Sequence, residues 1–149
     1  MAGRFRVVDT GVLEGRFNIA IDQAMIEEHQ AGRIPDTFRF MRFPPTALIG
    51  RHQALRQEVD VDHCRAHGIG IVRRITGGGA IYLDEGQLGW GLVFHRKALS
   101  ATCLAGLASD ICEAVAAGLR RLGVDARYRP RNDIEVDGRK ISGTGGFFD

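Results

Sequence analysis

The sequence predicts an α+β fold, and three observations carry that expectation. An amphipathic segment near the N-terminus is followed by a run of short β-branched and aromatic segments. A second, longer helical stripe comes next, and more strand-like segments follow it. Blocks of this kind, without regular strand–helix alternation, favour α+β over a doubly wound parallel sheet. No repeat, linker or low-complexity segment interrupts the 149 residues, whose length suggests one domain with one core.

Residues 4–10 (RFRVVDT) alternate and are β-branched enough for a strand. Asn18 is placed to cap a helix running to about Ala31, with Ile21, Ala24 and Met25 on one face. Residues 37–43 (TFRFMRF) alternate aromatic and basic side chains, as a half-buried strand would. Pro44 and Pro45 break it, and TALIGR reads as the next strand. Asp60 to His67 is a short helix stopped by Gly68. GIGIVRR, GGAIYLD and QLGWGLVF read as three strands, with Leu88, Trp90, Leu92 and Phe94 sharing a face in the last. Ser100 to Leu122 is the strongest helix, its apolar stripe made by Leu104, Leu107, Ile111, Val115 and Leu122, with Gly123 stopping it. DARYRP, NDIEV and RKISGTGG complete a β-rich end, and Asp137-Gly138 is a hairpin turn signal that pairs the last two.

Composition closes several doors. With 44% hydrophobic and 26% charged residues, disordered, collagen-like and coiled-coil readings fall away. No apolar run approaches the ~18 residues of a membrane helix, and the start, MAGRFRVVDTG, lacks the apolar stretch of a secretory signal. A cytoplasmic address and no membrane partner are expected. A net charge of +2 is too small to argue for a nucleic-acid partner. Cys64, Cys103 and Cys112 have no CxxC spacing and read as reduced thiols. His63 and His67 have helical i,i+4 spacing but lack a third metal ligand. No GxSxG motif suggests a hydrolase.

Two biases point to the chemistry instead. Of twenty basic residues only Lys97 and Lys140 are lysines, which raises the question of what a compact ammonium does there. Of twenty glycines, eight lie between Gly68 and Gly91 and four between Gly138 and Gly146. Such clusters mark sharp turns or close approach of backbone to something else.

The first window reads Arg73-Arg74-Ile75-Thr76-Gly77-Gly78-Gly79-Ala80. Without Cβ atoms, successive N–H groups can face an anion, and a guanidinium alongside can grip a phosphate with two donors. It is not a P-loop, because no GK[ST] follows and the next segment is a strand. A glycine-rich hairpin with solvated arginines is the plainer alternative. The second window joins Arg131-Asn132-Asp133 to Asp137-Gly138-Arg139-Lys140-Ile141-Ser142-Gly143-Thr144-Gly145-Gly146. Its hairpin presents Lys140 either as a solvated edge residue or as a point charge for a developing acyl-phosphate.

Together, RRITGGGAIYLDEG and RNDIEVDGRKISGTGG resemble the lipoate–protein ligase family of the biotin/lipoate ligase superfamily. NIAIDQAM is similar to that family's first helix and ALIGRHQ to its IGR.Q strand. The resemblance implies an α+β fold with a mixed or antiparallel sheet and flanking helices, like the catalytic cores of biotin ligases and class II aminoacyl-tRNA synthetases. It implies that Arg74 contacts the nucleotide and that Gly77, Gly78, Gly79, Ala80, Ile81 and Tyr82 run along ATP or the adenylate. It places Lys140 against both the lipoyl carboxyl and the α-phosphate, with Asn132 and Asp133 near the nucleotide and metal. Ile75, Ile81 and Trp90 are candidates for an apolar slot that takes the lipoyl chain.

The chain departs from the family pattern at Leu83, where a His is usual. Relative to that pattern, residues 1–149 correspond to the N-terminal portion of one catalytic domain, with no second domain. The remainder is expected from a missing C-terminal part or a second chain covering the exposed strand edges. The activity implied is ATP-dependent conversion of lipoate or a related medium-chain acid to an acyl-adenylate, then transfer to a lysine of an acceptor lipoyl-domain protein. ATP and Mg²⁺ are the expected cofactors. An ATP-independent octanoyl or lipoyl transferase is the alternative. Some of these use a Cys shortly before the Asn-Asp strand, where this chain reads Ala126-Arg127-Tyr128-Arg129-Pro130-Arg131. A non-catalytic subunit of a split enzyme is the third possibility.

Overall fold

A computed structural model describes residues 4–95 and 103–146. The chain separates into two compact units, residues 1–98 and 99–149, each with its own buried side chains, where length alone suggests a single core.

The first unit opens with strand β1 (Arg6–Val12) and helix α1 (Gly15–Gln30), then β2 (Thr37–Arg42) and β3 (Thr46–Ile49). Two short helices, α2 (Leu55–Glu58) and α3 (Val61–Ala66), lead to β4 (Gly70–Arg73), β5 (Ile81–Leu83) and β6 (Gly89–Val93). These strands make two mixed three-stranded sheets, in the orders β1-β2-β6 and β4-β3-β5. β1 runs parallel to β2 and β3 parallel to β4, whereas β6 and β5 join antiparallel. The α+β class and the mixed sheet are therefore as expected.

The face of β2 that is buried is the surprise. Thr37, Arg39 and Met41 are buried, while Phe38 and Phe40 are only half-buried. Arg39 is fully enclosed: it donates to the Asn18 carbonyl and side chain, to Thr10 Oγ1, and at 2.6 Å to Asp22 Oδ1. Every polar group in this knot has a partner, which makes a buried guanidinium tolerable. Asn18 is accordingly not the helix cap expected from sequence. It lies inside α1, whose N-cap is Glu14, and its amide donates to the carbonyls of Leu13 and Arg42. Met25 is buried as expected, Ile21 is half-buried and Ala24 is exposed. The helix is thus joined to β2 by a polar seam. Gly89 and Gly91 on β6 leave room for Met41, since a Cβ on Gly89 would fall 2.9 Å from its Cγ. On the opposite face Phe38 stacks on Trp90, with rings 4° from parallel and centroids 5.9 Å apart.

The second unit holds helix α4 (Leu104–Arg121) and an antiparallel meander of β7 (Arg127–Arg129), β8 (Asp133–Val136) and β9 (Arg139–Gly143). Cys103 caps α4, accepting from the Gly106 N–H; the earlier start expected at Ser100 falls outside the described residues. Its core is Cys112, Ala116, Ala126 and Ile134, with Val115, Leu119, Tyr128 and Val136 packed against it. Leu122, expected in the apolar stripe, is 80% exposed because the helix ends before it. Asp137 and Gly138 both have positive φ, 50° and 74°, the geometry of a tight type I′ hairpin.

Candidate functional site

β4 delivers Arg73 to the end of its sheet, and residues 74–80 then loop across to β5. In the structure the Arg74 guanidinium turns back onto its own loop. Nη2 donates to the carbonyls of Gly77 and Gly79, both at 2.8 Å, Nε to Gly77 at 3.2 Å, and Nη1 to Leu48 at 3.2 Å. Partial burial without an acidic neighbour pulls its pKa below the ordinary arginine value, though arginine remains a cation at any working pH. Gly78 has φ +99°, and a Cβ there would fall 2.8 Å from Arg74 Nη2. The glycine therefore supplies both the backbone conformation and the room for the arginine.

This arrangement changes what the loop offers. The Gly77 and Gly79 carbonyls accept from Arg74, while the N–H groups of Gly77, Gly78 and Gly79 find no acceptor among the described residues. All three glycines are exposed, as are Ala80, Ile81 and Tyr82. Consecutive N–H groups without a protein acceptor, on a loop held by a cation, are donors that an anion could take up.

A partner loop escaped sequence reasoning except as part of the family resemblance. Residues 50–53 lie directly against the glycine loop. The Arg51 N–H donates to the Thr76 carbonyl at 2.9 Å, and Arg73 Nη1 donates to the carbonyls of Gly50, Arg51 and Gln53 at 2.8–3.1 Å. Gln53 Oε1 accepts from the Gly50 N–H at 2.7 Å. A Cβ on Gly50 would fall 2.0 Å from the Gly78 carbonyl oxygen, so only glycine permits this approach. Successive arginines thus hold two different loops, Arg73 the 50–53 loop and Arg74 the glycine loop.

An open groove of about 470 Å³ runs between α1 and β4. Ile19, Ala20, Ile71, Val72 and Ile75 give it an apolar lining, with Arg16, Gln23 and Arg73 as polar members. Of the three residues expected to form an apolar slot, Ile75 is here, Ile81 is exposed on β5, and Trp90 is engaged with Phe38. A depression of about 410 Å³ along residues 56–62 is polar and contains none of the predicted site residues.

In the second unit the β8–β9 hairpin organises the charges. Lys140 Nζ lies 2.8 Å from Asp133 Oδ1, and Arg129 Nη2 lies 2.9 Å from Asp133 Oδ2. Arg129 Nη1 also reaches Glu135 at 3.2 Å. Lys140 first and Arg129 next hold the Asp133 carboxyl below the usual aspartate range. Lys140 is half-exposed, and a Cβ on Gly143 would fall 2.7 Å from its Nζ. Asn132 staples the loop that follows β9: its Nδ2 donates to the Thr144 carbonyl while the Thr144 N–H donates to the Asn132 carbonyl.

Each oxygen of Asp133 thus faces one cation, which suits a counter-ion of Lys140. Among the described residues no group of three His, Cys, Asp or Glu side chains could hold a metal ion. The rings of His63 and His67 stack on each other, with centroids 4.0 Å apart. Cys112 is fully buried with Sγ 3.3 Å from Thr144 Oγ1, Cys64 is buried, and Cys103 is exposed at the start of α4. No described helix is long and apolar enough to cross a membrane. Lys97 lies outside the described residues.

Residues 14–148 match the family model of the lipoyl protein ligase A/B catalytic domain. An octanoyltransferase LipM from Moorella thermoacetica is 36% identical over 126 residues, spanning 82% of this chain and 45% of the relative. The fold resembles a bipartite lipoate protein ligase from Thermoplasma acidophilum, solved in a study with its E2 lipoyl domain. That likeness has a TM-score of 0.86 and 29% identity, covering 99% of this chain and 57% of the other. It also resembles a lipoate-protein ligase A bound with ATP, with a TM-score of 0.84 and 31% identity, covering all of this chain and 62% of the other. The chain spans 45–60% of the length of its first five curated relatives, octanoyltransferases and a ligase subunit alike. On the strength of a family match over nearly its whole length and of this fold, the chain belongs to the lipoyl protein ligase A/B catalytic domain family.

Proposed function

We propose that the complete protein activates lipoate, or a related medium-chain acid, with ATP and transfers the acyl group to a lysine of an acceptor lipoyl domain. In the first step a carboxylate oxygen attacks the α-phosphorus of ATP. The new P–O bond forms as the bond to the β-phosphate bridge breaks, giving acyl-adenylate and pyrophosphate. In the second step the acceptor's ε-amine attacks the acyl carbon, and an amide forms as AMP leaves.

The single observation that carries this reading is the Lys140–Asp133 pair, on a strand pair that carries cations and amides but no thiol. Adenylate formation brings two anions into contact, so fixed positive charge and donors are its main requirement. The glycine N–H groups and Lys140 are suited to that requirement, with Arg74 bracing the loop. The groove between α1 and β4 is suited to an acyl chain, with Ile19, Ile71 and Ile75 as its apolar contacts. Likeness to an ATP-bound ligase supports the choice of nucleotide. Mg²⁺ would accompany the triphosphate, bound chiefly by phosphate oxygens. An acceptor lipoyl domain and a further segment or second subunit are the partners proposed, by analogy with the bipartite ligase.

The second reading is transfer from a carrier thioester without ATP, which the octanoyltransferase relatives favour. It needs an accessible thiolate. Cys112 is enclosed, the exposed Cys103 is the N-cap of α4 with its Sγ accepting from the Gly106 N–H, and residues 126–131, where such a thiol is sought, contain none. The discriminating assay offers octanoyl-acyl carrier protein without ATP, and free octanoate with ATP, to the complete protein and a lipoyl domain. The ligase reading predicts modification only in the second mixture. Robust transfer in the first overturns it.

A further inference from the structure

Counting guanidinium donors around the glycine loop leads to a residue that sequence reasoning passed over. Arg74 is committed on all three nitrogens to carbonyls of Leu48, Gly77 and Gly79, and Arg73 is tied to three carbonyls of the 50–53 loop. Arg51 differs. Its backbone is latched to the glycine loop through the 2.9 Å bond to the Thr76 carbonyl and the bond from Arg73 to its own carbonyl. Its side chain is exposed, and no hydrogen-bond or ion-pair partner takes its guanidinium among the described residues.

We propose that Arg51 is a nucleotide-binding residue that contacts the polyphosphate tail, the phosphates beyond the one received by the glycine N–H groups. The inference rests on the ATP-dependent reading above and names which phosphates this loop serves. Three glycine N–H groups can neutralise little of a triphosphate that carries three to four negative charges, so an exposed guanidinium carried on the adjoining loop supplies what they lack. The latch explains why it can do so repeatedly. The backbone of Arg51 is fixed relative to Thr76 and Gly78, while the side chain keeps the reach to follow the tail and to release pyrophosphate. Burial of Arg74 fits the same division of labour: one arginine shapes the loop and its neighbour in space remains available to the anion.

The test titrates the complete protein, without acid substrate and therefore without turnover, with ATP, AMP and inorganic pyrophosphate. Wild type is compared with Arg51→Gln, Arg51→Lys and Arg65→Gln, the last removing an equal charge from α3, away from this loop. Arg51→Gln is expected to weaken ATP and pyrophosphate about tenfold, leave AMP within about twofold, and leave the melting temperature unchanged. Arg51→Lys should recover part of the loss, and Arg65→Gln should bind like wild type. Equal weakening of AMP and ATP, wild-type pyrophosphate binding by Arg51→Gln, or an equal effect of Arg65→Gln would each overturn the proposal. If wild type bound none of the three phosphates, the ATP-dependent reading would fall too. If wild type and Arg51→Gln bound ATP equally well, only the role of Arg51 would fall.

Discussion

Lys140 and Asp133 face each other across the β8–β9 hairpin at 2.8 Å, and Gly143 leaves the space that the ammonium occupies. The lysine is therefore held by a counter-ion yet half-exposed, a state from which it can turn to another anion without desolvation. Lys140→Ala in the complete protein is expected to lower lipoate-dependent AMP formation about a hundredfold or more, with little change in stability. Lys140→Arg should also be poor, because a planar fork does not reproduce a point charge. Single-turnover kinetics together with a thermal melt separate the two effects.

Two glycine substitutions should fail in different ways. In Gly143→Ala the new methyl meets the flexible end of Lys140, with Nζ at 2.7 Å and Cε at 2.8 Å. Stability should hold while activity falls about ten- to a hundredfold, since only the charge is displaced. In Gly50→Ala it meets the Gly78 carbonyl oxygen at 2.0 Å, which is backbone and cannot swing away. That variant should lose about 1–3 kcal/mol of stability and ATP affinity together, as chemical denaturation and titration would show.

Asp133 and Asp22 should respond to pH with opposite signs. Lys140 and Arg129 depress the folded pKa of Asp133, so its contribution is present above the unfolded value near 4 and lost as pH falls below it. Asp133→Asn should therefore show a smaller loss of stability between pH 5 and about pH 3 than wild type. Asp22 is the reverse case: burial raises its pKa despite the Arg39 guanidinium, so what it contributes is lost as pH rises through the folded value. Arg39→Met leaves that carboxyl without its cation and should cost about 3–5 kcal/mol at pH 7. The cost relative to wild type should shrink as the pH is lowered, because protonation relieves the buried carboxylate. Urea titrations across this pH range check both signs.

Much of this architecture was legible in the sequence, and the exceptions have physical causes. The Asp137-Gly138 turn, the Gly68 stop and the order of strands follow from local rules, and the structure shows each of them. The buried face of β2 did not follow, because alternation gives the period of a strand and not which face is covered. Arg39 is enclosed only because Asn18, Asp22 and Thr10, distant in sequence, converge on it. The same limit applies to the candidate site. Lys140 and the glycine loop announced themselves by residue type, but the inward turn of Arg74 depends on carbonyls whose direction no motif encodes. The bond from Asn132 to Thr144 likewise joins two segments that no motif places together.

The groove between α1 and β4 gives a further expectation. Ile19→Trp should fill part of its volume of about 470 Å³. Its KM for lipoate or octanoate should rise about tenfold or more while kcat with saturating acid and the KM for ATP stay near wild type. A uniform fall in kcat with unchanged KM would mean that the acyl chain binds elsewhere.

The central claim is that a free acid and ATP react reversibly on this protein before any acceptor is present. Exchange of radiolabelled pyrophosphate into ATP measures that step alone. With the complete protein, exchange should require octanoate or lipoate, proceed without a lipoyl domain, and fall about a hundredfold in Lys140→Ala. Absence of acid-dependent exchange, in a preparation that still modifies the lipoyl domain from an acyl thioester, would contradict it.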